Sequence, residues 1–84
     1  MVKDRRLGRF FIDIEFIDNH PEDVLAILSG TIVLDTRYDY ARMAIEYIGI
    51  NPRFDEVREG LLVPLYYITI HSDTKVVSIK ADSV

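Results

Sequence analysis

The chain has two histidines, the side chains best suited to bind a transition metal or to transfer a proton. His20 precedes Pro21, and His71 ends an apolar run much later in the chain. A zinc or iron site would need further ligands, such as carboxylates, beside the imidazoles. The spacing brings no such set together, so we expect His20 to lie at a helix start and His71 at a strand end, without a metal.

A hydrolase triad is the second chemistry to consider, because His71, Ser72 and Asp73 are consecutive. Neighbours along a turn point in different directions, whereas a triad needs a base aligned between its nucleophile and its orienting acid. The four glycines are isolated, and none belongs to a glycine-rich phosphate loop. The sequence therefore predicts no catalytic residue and no cofactor-binding residue.

Paired carboxylates could act as acid and base or hold Mg²⁺. Asp13 and Glu15 are spaced for one face of a strand, and a second acidic group consists of Asp55, Glu56 and Glu59. Exposed carboxylates are usually solvated, and nothing in the pattern marks a pocket. We predict neither a metal site nor a cofactor.

Composition sets the class of protein. The chain has 84 residues, of which 49% are hydrophobic and 29% charged, and it has no cysteine. Such a chain forms one globular domain, residues 1–84, that holds by packing without disulfides. No run approaches the roughly 20 apolar residues of a membrane span, and Asp13 and Glu15 interrupt a signal-peptide pattern. We expect a cytoplasmic protein that does not enter membranes.

Charge is distributed unevenly. Residues 1–9 carry Lys3, Arg5, Arg6 and Arg9 against Asp4, for a net charge of +3, while the whole chain has −4. We predict that residues 1–8 form a flexible basic arm. An acidic body repels phosphate, so nucleic acid is not the expected partner, and any such binding would use the four cations of the arm.

Periodicity predicts the first elements. Ile12, Ile14 and Phe16 alternate with acidic residues, which predicts a strand over Phe10 to Ile17. Pro21 suits the first turn of a short helix that ends before Gly30. Thr31 to Leu34 is a β-branched run that predicts a strand.

Residues 36–48 allow two structures. Tyr40, Met43, Ala44, Tyr47 and Ile48 are spaced for one face of a helix, with Gly49 as its terminator. The alternative is a hairpin in which Met43–Tyr47 folds back on residues 31–38. The turn it needs, near 39–42, lacks Gly, Asn-Gly and Pro, so local rules favour the helix.

The second half predicts a loop and a hairpin. Residues 51–64 are loop-like, with Phe54 and Val57 as anchors into the core, and Leu65 to His71 and Val76 to Ala81 alternate as paired strands. The predicted fold is α+β: an antiparallel or mixed sheet of four to five strands with one or two short helices on one face.

The chain has five tyrosines and no tryptophan, and an exposed tyrosine ring suits a protein interface. Adjacent Tyr66 and Tyr67 must face opposite sides of their strand, and the last strand, which contains Val77, has only Lys80 to guard its edge. We therefore predict partner-binding residues Tyr66, Tyr67, Val77 and Tyr38.

One resemblance covers residues 31–70. The run Ile45 to Ile48, the segment Asn51 to Val57, and Gly60, Pro64 and Tyr66 resemble a pattern in small uncharacterised proteins encoded by bacteriophages and prophages. The resemblance implies a bacterial cytosol and an accessory role such as binding a host protein. It transfers no catalytic residue, and it favours the hairpin over 31–48.

These patterns predict a non-enzymatic interaction module that binds a protein partner or a second copy of itself as a homodimer. Two alternatives remain. One is a nucleic-acid-associated regulator that uses the basic arm, and the other is a small-ligand binder or enzyme whose site forms in an oligomer.

Overall fold

The computed structural model describes residues 5–58, 60, 62–71 and 73–81, and in them the chain forms five strands and two short helices. In chain order the elements are β1 (Leu7–Asp13), α1 (Ile14–Asn19), α2 (Pro21–Leu28), β2 (Ile32–Asp39), β3 (Ala44–Ile50), β4 (Tyr66–Ile70) and β5 (Val77–Ala81). The predicted small α+β fold is confirmed.

The strands are divided between two antiparallel sheets. The larger sheet has the order β1-β3-β2, and β4 pairs with β5 in the smaller one. A parallel bridge between Arg9 and Leu65 joins the two sheets, and there the Arg9 N–H donates to the Pro64 carbonyl at 3.0 Å. The strand β1 is therefore the element on which both halves of the chain meet.

Aromatic rings form the centre of the core. The Phe10 ring stacks on Tyr47 of the neighbouring strand with 5.3 Å between centroids, and Phe54 stacks on Tyr66 at 4.3 Å. Phe10 and Phe54 connect the two stacks at 6.4 Å. Apolar side chains of β1 and α2, among them Ile12, Val24 and Ile27, complete the cluster.

The first strand is shifted from its predicted position. It begins at Leu7 and ends at Asp13, and the chain turns at once into α1 instead of continuing to Ile17. The N–H of Ile14 donates to the Met43 carbonyl at 3.0 Å, and Phe16 and Ile17 both pack against the core. A strand would send these adjacent side chains to opposite faces, whereas a helical turn brings both toward one side.

The helix predicted over residues 36–48 is wrong, and the hairpin is correct. β2 and β3 pair from Ile32↔Ile50 to Asp39↔Ala44. Asp39 supplies the turn chemistry, because its Oδ1 accepts the N–H groups of Ala41 at 3.1 Å and Arg42 at 3.2 Å. Met43 takes a positive φ of 52° at the last turn position, where glycine or asparagine is commoner.

The remaining predicted elements are confirmed. Pro21 opens α2 and the helix ends before Gly30, and the C-terminal hairpin pairs Tyr66 with Ala81 and Ile70 with Val77. Phe54 and Val57 are buried anchors of the loop after β3.

A substitution at Gly49 tests how closely the backbone at the start of β2 approaches β3. A Cβ on Gly49 would lie 2.6 Å from the Thr31 methyl and 2.7 Å from the Ile32 carbonyl oxygen. Because backbone atoms cannot move aside cheaply, we expect Gly49→Ala to lower the free energy of unfolding by about 1–3 kcal/mol. The control is Gly30→Ala, whose new methyl would meet only the Asn51 amide at 3.6 Å. Equal urea-denaturation midpoints for both variants would contradict the close approach.

The burial of Tyr47 leads us to expect that the folded state loses stability at alkaline pH. Burial raises the pKa of the Tyr47 hydroxyl above its usual value of 10.0. The folded state then holds this proton at pH values where the unfolded state releases it, so stability is complete below about pH 10 and falls as the pH rises further. Tyr47→Phe should flatten this alkaline decline in thermal melts, whereas Tyr40→Phe, at an exposed ring, should leave it unchanged.

Candidate interaction surface

β2 is a strand without cover on either face. Every residue from Ile32 to Tyr38 is exposed, although the strand pairs with β3 at both ends and on both sides of Leu34. β2 lies at the edge of its sheet, while α1 packs on β1 and α2 packs on β4. Both faces of β2 and its unpaired edge are therefore exposed to solvent.

Several of the exposed side chains on this hairpin are large and apolar. Ile32 is 66% exposed and Leu34 is 55% exposed. At the other end of the hairpin, the rings of Tyr38 and Tyr40 lie 4.4 Å apart, and the Tyr38 hydroxyl contacts the Met43 sulfur at 3.8 Å. We call this set the β2 surface: Ile32, Val33, Leu34, Tyr38, Tyr40 and Met43.

Between its apolar ends the strand carries charges. Asp35 and Arg37 flank Thr36, and the N–H of Thr36 donates to Asp35 Oδ1 at 2.9 Å. The register with β3 shifts between Val33 and Asp35, which marks a β-bulge at Leu34. Bulges and charges are the usual devices that limit uncontrolled pairing at sheet edges.

The structure separates the four predicted partner-binding residues. Tyr38 belongs to the β2 surface, and Tyr67 is 55% exposed on the smaller sheet. Tyr66 is only 4% exposed, and its hydroxyl accepts the Asp55 N–H at 2.8 Å. Val77 is half-buried and packs on the core. Tyr66 and Val77 are thus structural, because their faces of the smaller sheet turn toward the aromatic cluster.

The predicted basic arm is part of the fold from residue 5 onward. Arg5 Nε donates to the Val57 carbonyl at 2.7 Å, and the Val57 N–H donates to the Arg5 carbonyl at 2.8 Å. Arg6 Nη1 donates to the Phe54 carbonyl at 2.9 Å, and the Asn51 N–H donates to the Arg6 carbonyl at 3.1 Å. Residues 5–8 are therefore not a flexible arm.

Arg9 is also engaged within the chain. Its Nε donates to the Val63 carbonyl and its Nη1 contacts Glu46 Oε2, both at 3.3 Å. Lys3 lies outside the described residues. Three of the four cations assigned to nucleic acid thus bond to the loop after β3, to the segment before β4 and to a carboxylate.

The histidines and acids do not converge. His20 lies between α1 and α2 with its Nδ1 3.9 Å from Asp23, and Asp23 pairs with Lys75 at 2.9 Å. Asp13 ends β1 whereas Glu15 lies in α1, so they do not share a strand face. In the described ranges no three metal-ligating side chains come together; Glu59 and Ser72 fall outside those ranges.

One cleft separates β1 and the helices from β4. It has a volume of about 310 Å³ and an apolar lining that includes Phe16, Ile27, Ile68 and Ile70. Asp13 is the carboxylate at its wall. A single acid beside apolar side chains does not make an acid–base pair or a metal centre.

Of the β2 surface, only Tyr38 is predicted from the sequence to bind a partner. The apolar run Ile32-Val33-Leu34 predicts only a strand, and helical spacing places Tyr40 and Met43 on a helix face. The useful signal is the apolar run followed by alternating charges at positions 35, 37 and 39, because such alternation continues a strand.

Comparisons with family models, with curated proteins and with solved structures found no match to this chain. Within the part of the chain that the structure describes, neither helix is long and apolar enough to cross a membrane.

Arg5 provides a test of the ordered basic segment. We expect Arg5→Ala to lower the free energy of unfolding by about 1 kcal/mol, because it leaves the Val57 carbonyl without its charged donor. The control Arg53→Ala removes the same charge from an exposed loop side chain. If nucleic acid instead used this segment, Arg5→Ala would weaken binding to generic DNA and reduce its salt dependence while leaving thermal stability unchanged.

Proposed function

We propose that this protein is a small interaction module without catalytic activity, and that the β2 surface is where it binds another polypeptide. One observation carries the proposal: a strand of eight residues, Ile32–Asp39, keeps exposed apolar side chains and an open edge. Unpaired edge groups offer main-chain hydrogen bonds to an added strand, and the flanking side chains supply contact area.

The size of the chain supports the same function. An 84-residue domain buries a smaller fraction of its surface than a larger one does, so uncovered apolar area has a correspondingly large cost. A bound polypeptide would remove Leu34 and Ile32 from water, and it would also stabilise the folded state by mass action.

The setting we propose is the cytoplasm of a bacterium that carries a phage or prophage. It is supported by the resemblance of residues 31–70 to small phage-encoded proteins, and the partner in that setting is a host protein or a second copy of the chain. The basic segment does not favour nucleic acid, because Arg5, Arg6 and Arg9 bond within the protein.

The test compares two equally drastic changes at exposed apolar residues. Ile32→Lys alters the β2 surface, and Leu25→Lys alters helix α2, where the side chain is 69% exposed. Both variants should keep the wild-type circular dichroism spectrum and melting temperature, since neither side chain is buried. Cross-linking with mass spectrometry in a bacterial extract should map intermolecular links to residues 31–43 in the wild type and in Leu25→Lys.

Ile32→Lys should lose those links. The proposal is overturned if the links map to the helices or to the smaller sheet, or if Ile32→Lys retains the links to residues 31–43 at wild-type yield.

A further inference from the structure

The order of charges along β2 is complementary to itself when the strand is reversed. Asp35 and Arg37 stand on either side of Thr36. When two copies of β2 pair antiparallel about a two-fold axis through Thr36, Asp35 of each copy lies opposite Arg37 of the other. Opposite charges directly across an antiparallel pair stabilise it, and like charges destabilise it.

We infer that β2 pairs with β2 of a second copy in this register, which makes one six-stranded sheet from two chains. The inference rests on the proposed function and names its partner. The interface is isologous, as a two-fold dimer requires, because each copy offers the same patch.

Neighbouring registers are worse. A two-fold axis perpendicular to the sheet leaves the same face of both copies on the same side of the combined sheet. A different register therefore requires a different residue of β2 on the axis. An axis through Asp35 sets that carboxylate against its own copy. An axis through Arg37 sets the guanidinium against its own copy and Asp35 against Asp39. Both arrangements oppose like charges, so they disfavour pairing.

An axis through Tyr38 also sets opposite charges together, Arg37 against Asp39. However, Asp39 already accepts the N–H groups of Ala41 and Arg42 at 3.1 and 3.2 Å. That register also extends into the turn, since β2 ends at Asp39. The axis through Thr36 keeps the pairing inside the strand.

Backbone geometry supports the same axis. In an antiparallel ladder every second residue directs its N–H and C=O away from its partner strand. Thr36 fits this outward set, because its N–H is taken by Asp35 Oδ1 at 2.9 Å. On pairing, the N–H of each Thr36 donates to the Thr36 carbonyl of the other copy, and the Asp35 carboxylate is released to meet Arg37.

The charged residues then form non-hydrogen-bonded pairs, in which Cα atoms lie about 4.5 Å apart and side chains are closest. By residue count the same register brings Leu34, the residue at the bulge, next to Tyr38 of the second copy, twice. Both side chains belong to the β2 surface and are exposed in the single chain. Apolar contacts thus flank the charged centre symmetrically.

Charge reversal tests the register. Asp35→Lys alone opposes two cations at each charged pair, and Arg37→Glu alone opposes two carboxylates there. Each purified variant should therefore dimerise about tenfold or more weakly than the wild type. In an equimolar mixture of the two variants, the new lysine of one chain faces the new glutamate of the other, and the unchanged Arg37 faces the unchanged Asp35, so both pairs are attractive and mixing should restore dimerisation. The double variant Asp35→Lys with Arg37→Glu exchanges the two charges, restores both attractive pairs and should dimerise with near-wild-type affinity. Sedimentation across a hundredfold concentration range measures each case.

Arg58→Glu is the matched control, since it makes the same charge change at an exposed residue outside β2. It should leave dimerisation unchanged. Thermal melts of every variant establish that it is folded, which matters because Arg37 pairs across the ladder with Glu46.

A wild-type monomer at every concentration overturns the inference, and so does a dimer that both reversals leave intact or that the double variant fails to restore. The proposed function fails separately. If the wild type is monomeric while Ile32→Lys still removes cross-links to another protein, self-pairing is wrong and the β2 surface remains a binding site.

Discussion

The fold depends on a row of four aromatic rings, Tyr47, Phe10, Phe54 and Tyr66. Each ring comes from a different part of the chain: the hairpin, the first strand, the long loop and the C-terminal sheet. Stacked and tilted ring pairs add about 0.5–1.5 kcal/mol beyond their buried area. In a chain that has no disulfide, this row is what holds two small sheets, neither of which has a core of its own.

The position of the aromatic row explains the open strand. The row runs from β3 across β1 toward β4, and the helices cover that same side of the molecule. β2 extends past the row at the far side of β3, so its side chains have nothing beneath them. The exposure of Leu34 and Ile32 is therefore a consequence of where the core lies.

The sequence predicted most elements because their signals are local. Pro21, Gly30 and the alternation of residues 65–71 and 76–81 each specify an element through its own backbone chemistry. The hairpin of β2 and β3 could not be predicted in this way. Its turn uses the Asp39 carboxylate in place of glycine, and residues 43–48 match both a helical and an extended pattern. Tertiary pairing with β1 decides between the two, because β3 bonds on both sides.

The basic segment shows the same limit. Charges at a chain end predict a solvated tail, yet Arg5 and Arg6 lie against the Asn51–Val57 loop, where their carbonyl acceptors come from residues far away in sequence. No local pattern reports such a distant acceptor. The candidate surface was hidden for a related reason, since exposure is a property of the assembled sheet and not of Ile32 or Leu34 alone.

An open sheet edge must satisfy its backbone donors in the single chain and still select one partner. Asp35 contributes to both. A free N–H on an apolar edge invites pairing with any extended chain, and the bond from Thr36 to Asp35 Oδ1 satisfies that donor in the single chain. In the dimer that we propose, the same carboxylate faces Arg37 of the reversed copy. A partner that lacks a cation at this position would have to displace the carboxylate without compensation, whereas a second β2 supplies one. In the dimer that we propose, a single side chain thus satisfies an edge donor in the single chain and favours one partner, which is how specificity arises when attractive and repulsive elements are combined at an interface.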